Sequence, residues 1–328
     1  MMKKRLASIV LALALLVLPA VPVFAAEPET AKPAAAVQQA GAQAAEEEHS
    51  FTYIALGDSI TAGIGLTDTP YKQSSSGYDM TENYHGYSSS VYMAIVADAL
   101  GLDRDHAADM GLPGVTSENM VSLLQTEAMP ERNLYGVQYQ VPGLRQQVKD
   151  ADLITIHVGY NDTLVRVVKS IGKATNSKSV ALLTPLMTGA LRHPTFESLA
   201  AYNKGLQSMA SLTCAEWKDL AQVINPGIQE ICDSTYADTT ANIEKTLQEL
   251  RALNPDAQIL ILGYYSPLHV IPAWNNYFAK LNQYVKELAP QYNVTYVPIP
   301  YTAIAVDGHP TIGGHRYIAR QILKAMQK

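Results

Sequence analysis

Cysteine is scarce in this sequence: Cys214 and Cys232 are the only two among 328 residues. They allow at most one disulfide within the chain. In an oxidising compartment a disulfide between them and a pair of buried thiols are both open alternatives, because sequence does not give the distance between the two Cα atoms. His, Cys and Asp residues nowhere stand at the spacing of metal ligands, so we predict neither a metal ion nor another cofactor.

Positive charge is also sparse. Lysine and arginine number 24 against 30 aspartates and glutamates, which gives a formal net charge of -6. Proteins that bind nucleic acid carry basic patches, so we predict no nucleic-acid partner. A hydrophobic fraction of 48% and a charged fraction of 16% are typical of a globular protein with a sizeable core.

Only the first residues contain a long apolar run. Residues 3–5 are basic, residues 6–23 are apolar, and residues 23–25 fit the small-residue rule for cleavage before Ala26, which predicts a signal peptide over residues 1–25 and an exported, secreted protein. A retained membrane anchor is the alternative, since the run is near the lower spanning length, but Pro19 and Pro22 interrupt it. Cleavage removes three positive charges and no negative one, taking the net charge from -6 to -9, and we expect no stable membrane insertion afterwards.

The next segment differs in composition from the rest. Residues 26–50 are mostly Ala, Glu, Gln and Pro and contain no aromatic residue. Such a segment cannot bury enough apolar surface to fold alone, which predicts a disordered linker. We expect one folded domain over residues 51–328, because no internal repeat and no other composition shift marks a second boundary.

The domain begins with a short apolar run, residues 53–56, that ends in Gly57-Asp58-Ser59. This pattern predicts a buried strand followed by a turn. Ser59 would then stand at the carboxyl end of a central strand, where an open α/β sheet binds its ligands. Such a serine is either a nucleophile, if a base lies nearby, or a turn residue that caps a helix.

Apolar runs and helical periodicity alternate along the rest of the domain. The predicted strands are residues 53–56, 153–158, 258–263 and 294–299. The predicted helices are one that Ser88 or Ser89 caps and that runs to residue 100, then residues 117–125, 142–151, 237–254, 274–288 and about 313–328, with a mostly helical stretch over 164–233. Strands that alternate with helices predict a parallel sheet with helices on both faces.

Three further residues follow strands or short apolar segments and offer suitable chemistry. His309, in Asp307-Gly308-His309-Pro310, can act as a general base. The side chain of Asn161 and the backbone N–H of Gly114 can donate hydrogen bonds to an oxyanion. Each signal alone also fits an ordinary turn. Because the carboxyl ends of parallel strands share one rim of the sheet, we expect Ser59 and these residues to meet there.

The blocks Gly57-Asp58-Ser59, Gly114, Gly159-Tyr160-Asn161-Asp162 and His309-Pro310 resemble, in order and spacing, those of the SGNH (GDSL-type) serine hydrolases. The resemblance extends over residues 51–328. It implies a flavodoxin-like three-layer α/β/α fold and ester hydrolysis through a serine acyl-enzyme without a cofactor. It also implies that Ser59 is the nucleophile, that His309 is the base, and that Gly114, Asn161 and the Ser59 amide form the oxyanion hole.

Two features depart from the family's pattern. The acid usually precedes the histidine by three residues, whereas Asp307 precedes His309 by two. Gly308 must therefore adopt an unusual backbone angle if Asp307 is to reach the imidazole; otherwise the site is a Ser-His dyad. The stretch of about 70 residues after Asn161 is longer than a crossover requires, which predicts a helical insertion over about 164–233 beside the substrate cleft.

The sequence favours deacylation of a carbohydrate or a short-chain ester. The ester would be carried by a small molecule or by a polymer, and we expect the enzyme to be a monomer. A lipase or phospholipase is the alternative among enzymes and requires an apolar lid within residues 164–233, for which residues 182–187 are the best candidate. A non-catalytic cell-envelope binding module is the alternative of another class. The intact set of Ser59, Asn161 and His309 disfavours it, since a binder does not need all three.

Overall fold

A computed structural model of the chain describes residues 50–68, 72–74, 77–79 and 87–327. The predicted signal peptide and all of the predicted linker except Ser50 lie outside the described residues. The strands are β1 (Tyr53–Gly57), β2 (Lys72–Ser74), β3 (Gly77–Asp79), β4 (Ala107–Gly111), β5 (Leu153–His157), β6 (Gln258–Leu262) and β7 (Thr295–Val297).

The helices are α1 (Tyr92–Leu100), α2 (Ser117–Thr126), α3 (Leu144–Asp150), α4 (Tyr160–Ala174), α5 (Val180–Met187), α6 (Phe196–Ala210), α7 (Cys214–Gln222), α8 (Ile228–Leu253), α9 (Pro272–Leu288) and α10 (Ile312–Met326). Within the described part of the chain, no helix combines the length and the apolar character needed to cross a bilayer.

Five parallel strands form the central sheet in the order β4-β1-β5-β6-β7, while β2 and β3 form a separate antiparallel pair. Counted among the sheet strands alone, this is the flavodoxin-like order 2-1-3-4-5. Every residue of β1 and β5 is buried, as expected of parallel strands that helices cover on both sides. The predicted α/β fold with a parallel sheet is confirmed.

The helices form two groups. Helices α1 and α10 pack against each other, and α8 packs against α2 and α9. This division follows from the strand order, because the connection that leaves β1 towards β4 runs opposite to the three later connections, and right-handed crossovers therefore place its helix on the other face. One large hydrophobic cluster between the layers includes residues of all five strands.

The carboxyl ends of the three neighbouring strands lie at the same level. Gly57 of β1 pairs with Gly111 of β4 on one side and with His157 of β5 on the other. The turns that follow carry Ser59, Gly114 and Asn161 respectively, within two to four residues of these strand ends. The strand register therefore brings three of the sequence-predicted residues to one rim of the sheet.

A close backbone approach sets the height of the Ser59 turn. A β-carbon built on Gly111 would lie 2.1 Å from the backbone N of Ala62 and 2.6 Å from its Cα. The chain of residues 58–66 turns in a helical manner over the ends of β1 and β4, with hydrogen bonds from Ala62 N to Asp58 O and from Ile64 N to Ser59 O. Position 111 thus requires glycine because any side chain would collide with the backbone of Ala62, and not because of its backbone angles.

Several details differ from the sequence predictions. Helix α1 begins at Tyr92, with Val91 at its N-cap, because the hydroxyls of Ser88 and Ser89 hydrogen-bond instead to the carboxylate of Asp68. Helix α4 begins at Tyr160 rather than near 164, directly after β5.

The two cysteines are free thiols in the structure. Cys214 is exposed at the start of α7, whereas Cys232 is buried within α8. The structure therefore contains no disulfide between them, and of the alternative pair of buried thiols only Cys232 is buried. Helices α4 to α7 occupy most of the stretch predicted to be an insertion, and α8 continues through residue 233; the insertion itself stays a prediction.

The Gly111 contact predicts opposite effects for two glycine-to-alanine changes. We expect Gly111→Ala to lower the free energy of unfolding by about 1–3 kcal/mol, the usual cost of overpacking, because Ala62 presents backbone atoms that cannot rotate away. Gly172, inside α4, has nothing within 4 Å of its built β-carbon, so Gly172→Ala should raise the free energy by up to about 1 kcal/mol. Urea unfolding of both variants measures this, and equal stabilities would contradict the packing argument.

Candidate active site

Ser59 and His309 meet at the rim of the sheet. The Oγ atom of Ser59 lies 2.9 Å from Nε2 of His309, and both residues are largely buried, at 9% and 8% exposure. A hydroxyl at hydrogen-bond distance from an imidazole nitrogen can transfer its proton as the oxygen attacks. The structure therefore brings the sequence-predicted nucleophile and base together.

Asp307 lies behind the imidazole. Its Oδ2 atom is 3.3 Å from Nδ1 of His309, although the N–H direction at Nδ1 is not aligned for a hydrogen bond. Oδ1 accepts the backbone N–H of His309 at 3.2 Å. Between them Gly308 has a φ of +80°, which is the unusual backbone angle that the short spacing requires. Contacts of this kind often tighten only when substrate is bound.

Arg192 is a residue of this region that the sequence motifs did not identify. Its guanidinium donates from Nη1 to the carbonyl of Ile64 at 3.0 Å and from Nη2 to the carbonyl of Pro310 at 2.9 Å. Nη1 also lies 3.9 Å from Oδ2 of Asp307. The side chain is only 10% exposed, so a positive charge links the turn after Ser59 to the loop that carries His309.

Two neighbours help to hold this arrangement. Gly65 has a φ of +89°, and a β-carbon there would lie 2.2 Å from Nη1 of Arg192, so glycine leaves room for the guanidinium. The hydroxyl of Tyr265 donates to the carbonyl of Gly308 at 3.0 Å. Residues Val180 to Leu191 carry no charge, and the arginine that ends this run was the one signal in the sequence at this position.

Two backbone N–H groups beside Ser59 are free to donate. Neither the amide of Ser59 nor that of Gly114 donates a hydrogen bond within the described part of the chain. Gly114 has a φ of +82°, and Asn133 and Tyr135 pack over it, each about 3 Å from where a β-carbon would stand. The side chain of Asn133 donates to the carbonyl of Pro113 at 2.8 Å, which fixes this turn.

Asn161 is the third candidate donor. It lies in the first turn of α4, and its Nδ2 donates to the carbonyl of Val115 at 2.9 Å. Its other contact is with Oδ2 of Asp58 at 3.5 Å, at the outer limit of a hydrogen bond. One N–H of the amide is thus firmly held by the Gly114–Val115 turn, and the other has only a weak partner that an oxyanion could replace.

Asp162 fixes the position of α4 against α2. Its carboxylate accepts the backbone N–H of Ser117 at 2.9 Å and also contacts the hydroxyls of Ser117 and Thr239. Burial raises the pKa of Asp162, opposed by hydrogen bonds from Ser117 and Thr239. Through this carboxylate the turn that carries Gly114 and the helix that carries Asn161 are held together.

Asp58 stabilises the turn, because its Oδ1 accepts the N–H of Ile60 at 2.9 Å. Burial in the absence of a full ion-pair partner raises the pKa of Asp58 to about 7, an effect that the hydrogen bond from Ile60 and the charge of His309 oppose. A neutral Asp58 is favourable here, because a carboxylate beside Asn161 would repel a developing oxyanion.

A cleft of about 540 Å³ adjoins the candidate oxyanion donors, and both Gly114 and Asn161 line it. Its other walls are the start of α2, the loop before Tyr135, and facing surfaces of α4 and α8. Apart from Leu134, Val165 and Ala241, the lining side chains beyond Gly114 are polar or charged. The cleft therefore suits a polar ligand better than an alkyl chain.

Two other histidines near the site, His157 and His315, are structural. His157 is fully buried with Nε2 at 3.2 Å from the carbonyl of Gly263, and burial lowers its pKa to about 4. His315 lies in the first turn of α10, accepts the N–H of Tyr92 at 3.4 Å, and has a pKa that burial lowers to about 3. Within the described ranges, no three His, Cys, Asp or Glu side chains cluster as a metal site.

A profile of the GDSL-like lipase/acylhydrolase family matches residues 55–317. The match spans most of the chain and contains Ser59, Gly114, Asn161 and His309. The chain belongs to this family. It is therefore an ester hydrolase, and the resemblance drawn from the four sequence blocks is confirmed.

Solved structures that are similar to this chain include two lipases and a carbohydrate esterase. A lipase from a goat rumen metagenome is 15% identical, with a TM-score of 0.49 and coverage of 84% of this chain and 97% of that one. An extracellular lipase from Streptomyces rimosus is 16% identical, with a TM-score of 0.47 and coverage of 84% of this chain and 100% of that one. A family two carbohydrate esterase from Clostridium thermocellum, in complex with cellohexaose, is also 16% identical, with a TM-score of 0.44 and coverage of 87% of this chain and 66% of that one. No curated protein sequence matches the chain.

Arg192 is expected to position the catalytic loops of this hydrolase. We predict that Arg192→Met lowers kcat at least about tenfold, a loss of roughly 1.4 kcal/mol of transition-state stabilisation, while KM changes less than twofold. Arg192→Lys should restore part of kcat, and added guanidinium should partly rescue the methionine variant. Kinetics with p-nitrophenyl acetate and the Tm of each variant measure this; a lower Tm with unchanged kcat would make Arg192 merely structural.

The raised pKa of Asp58 predicts that the difference in stability between wild type and Asp58→Asn depends on pH. Its pKa is raised from 3.8 to about 7 in the folded protein, so the folded state binds an extra proton between these values and wild-type stability falls as pH rises through that range. The stability advantage of Asp58→Asn over wild type should grow from pH 4 to pH 7, by about 3 kcal/mol, and level off above. Urea unfolding at four pH values tests this, and a pH-independent difference would contradict it.

Proposed function

We propose that the protein is a secreted serine esterase that removes acyl groups from a carbohydrate or another short-chain ester through an acyl-enzyme. The contact of 2.9 Å between Ser59 Oγ and His309 Nε2 carries this proposal. Export is supported by the basic and apolar segments that begin the sequence. We further propose that the enzyme acts as a monomer, without a cofactor.

Acylation begins when Nε2 of His309 takes the proton of Ser59 and Oγ attacks the ester carbonyl carbon. The carbonyl oxygen becomes an oxyanion that accepts hydrogen bonds from the amides of Ser59 and Gly114 and from Nδ2 of Asn161. Donors held in place before the reaction stabilise the developing charge without reorganisation. When the tetrahedral intermediate collapses, the bond between the acyl carbon and the leaving oxygen breaks, and the imidazolium gives its proton to that oxygen, so that the product leaves as an alcohol.

Deacylation uses the same groups in reverse. His309 takes a proton from water, the hydroxide attacks the acyl-enzyme, and the carboxylic acid leaves as Ser59 regains its proton. We propose that Asp307 completes a triad by stabilising the imidazolium, since its Oδ2 lies 3.3 Å from Nδ1. A dyad requires some other acceptor for Nδ1, and no hydrogen-bond acceptor contacts Nδ1 among the described residues.

The polar cleft beside Gly114 and Asn161 supports a sugar rather than a fatty acyl chain. A long alkyl chain gains most from an apolar groove, whereas charged and amide side chains are better satisfied by hydroxyl groups. A lipase remains the second candidate because one observation favours it: Phe196, Leu199 and Leu206 of α6 are exposed at 90%, 50% and 39%. Apolar side chains on one helix face could bind a lipid surface.

The non-catalytic binding module has less support. A binder gains nothing from a serine hydroxyl at hydrogen-bond distance from an imidazole, or from amides left without acceptors. Membership of an acylhydrolase family points the same way.

Hydrolysis of p-nitrophenyl esters separates these candidates. We expect the wild type to cleave the acetate and butyrate efficiently and the palmitate poorly, and Ser59→Ala to lose at least about 10³-fold in kcat. Phe196→Ser should leave the acetate rate unchanged. Preference for the palmitate, lost in Phe196→Ser, would favour the lipase. Equal trace rates for wild type and Ser59→Ala would favour the binding module.

A further inference from the structure

The cleft beside the oxyanion donors has two walls of different charge. Helices α4 and α8 form one wall with Asp162, Arg166, Lys169, Asp238 and Lys245, while the start of α2 and the following loop form the other with Glu118, Glu131 and Arg132. The first wall thus has three positive groups and two negative ones, and the second has one positive group and two negative ones. In a chain whose net charge is -6, the first wall is the side of the cleft where positive charge exceeds negative charge.

Most of the charges in the cleft have a partner or a structural role. Arg166 lies 3.6 Å from the carboxylate of Asp238, and Arg132 donates to the carbonyl of Gly136 at 2.6 Å. Glu118 lies in the first turn of α2, where a negative charge stabilises the helix.

The ammonium groups of Lys169 and Lys245 have neither a charged partner nor a structural role of this kind. They come from different helices and line the same cleft, and no ion pair or hydrogen bond engages either ammonium within the described part of the chain. Two ammonium groups that share a cleft repel each other unless an anion lies between or beside them.

We propose that Lys169 and Lys245 bind a negatively charged group on the acylated carbohydrate, so that the preferred substrate is an acidic glycan that bears carboxylate groups. This inference rests on the proposed esterase function, since it takes Gly114 and Asn161 as the point where the acyl carbonyl binds. The glycan would extend from that point along the cleft to the α4–α8 wall. The acidic surface elsewhere repels a polyanion, so attraction is confined to the cleft.

Acetate release from a matched pair of substrates tests the proposal. The pair is acetylated oligogalacturonate and its carboxyl-reduced counterpart, which has the same sugar backbone without the charge. The variant is Lys169→Gln combined with Lys245→Gln. Its matched control combines Lys204→Gln with Lys218→Gln, two exposed lysines of α6 and α7 that do not line the cleft.

We expect wild type to have a lower KM for the charged substrate. The cleft variant should raise that KM by roughly two- to thirtyfold, the range for two exposed ion pairs, with kcat and the rate on p-nitrophenyl acetate unchanged. The control variant should resemble wild type. Raising the salt concentration to about 1 M should remove the preference, because it screens exposed charges. Equal KM values for both substrates, or equal effects of both double variants, would overturn the proposal.

A binding measurement separates this inference from the esterase proposal. Calorimetric titration of unacetylated oligogalacturonate into Ser59→Ala needs no catalysis. Binding that disappears when the two cleft lysines are also replaced supports the charged cleft even if no ester is cleaved. Ester hydrolysis without any such binding would leave the esterase intact and overturn the acidic-glycan substrate.

Discussion

The contact between Ser59 and His309 depends on two turns that lie 250 residues apart in the chain. A hydrogen bond between such distant residues forms only if the intervening structure fixes both turns to within a few tenths of an ångström. Arg192 supplies that constraint directly, because its guanidinium bonds a carbonyl of each turn. A planar, permanently charged group with several donors suits this role better than a lysine would. The distance between Ser59 and His309 is therefore fixed in part by a residue, Arg192, that lies outside the four sequence blocks.

The rest of the site follows from strand register. Gly57, Gly111 and His157 end their strands side by side, so the turns that follow emerge together, and small residues allow the backbone of one turn to rest on the end of its neighbour. Asp162 then holds the start of α4 to the start of α2. Together these contacts preorganise the donors before any ester binds, which is the main requirement for stabilising an oxyanion.

Much of this could be predicted from the sequence. Four of the five strands of the central sheet and most helices follow from apolar periodicity, whereas β4 was not predicted. The meeting of Ser59, Gly114, Asn161 and His309 follows from the rule that parallel strands share one rim. The angle at Gly308 was predictable from the short spacing to Asp307. The role of Arg192 was not predictable, because it depends on a backbone carbonyl from each of two turns, and every residue has such a carbonyl. The predicted start of α1 was wrong for a similar reason, since the carboxylate of Asp68 binds the serines that would have capped the helix.

The charged cleft also lay beyond sequence reasoning. Lys169 and Lys245 are 76 residues apart in the numbering, on helices whose relative placement depends on tertiary packing. Exposed lysines on helices are usually solvated surface groups, and only a shared cavity distinguishes these two.

Covalent labelling with a fluorophosphonate tests directly whether Ser59 is an activated nucleophile, because an activated serine attacks phosphorus and displaces fluoride whatever the natural ester is. We expect one adduct per chain, mapped by mass spectrometry to the peptide that contains Ser59, and strongly reduced labelling in His309→Ala. No adduct, or an adduct on another residue at the same rate in wild type and Ser59→Ala, would contradict it.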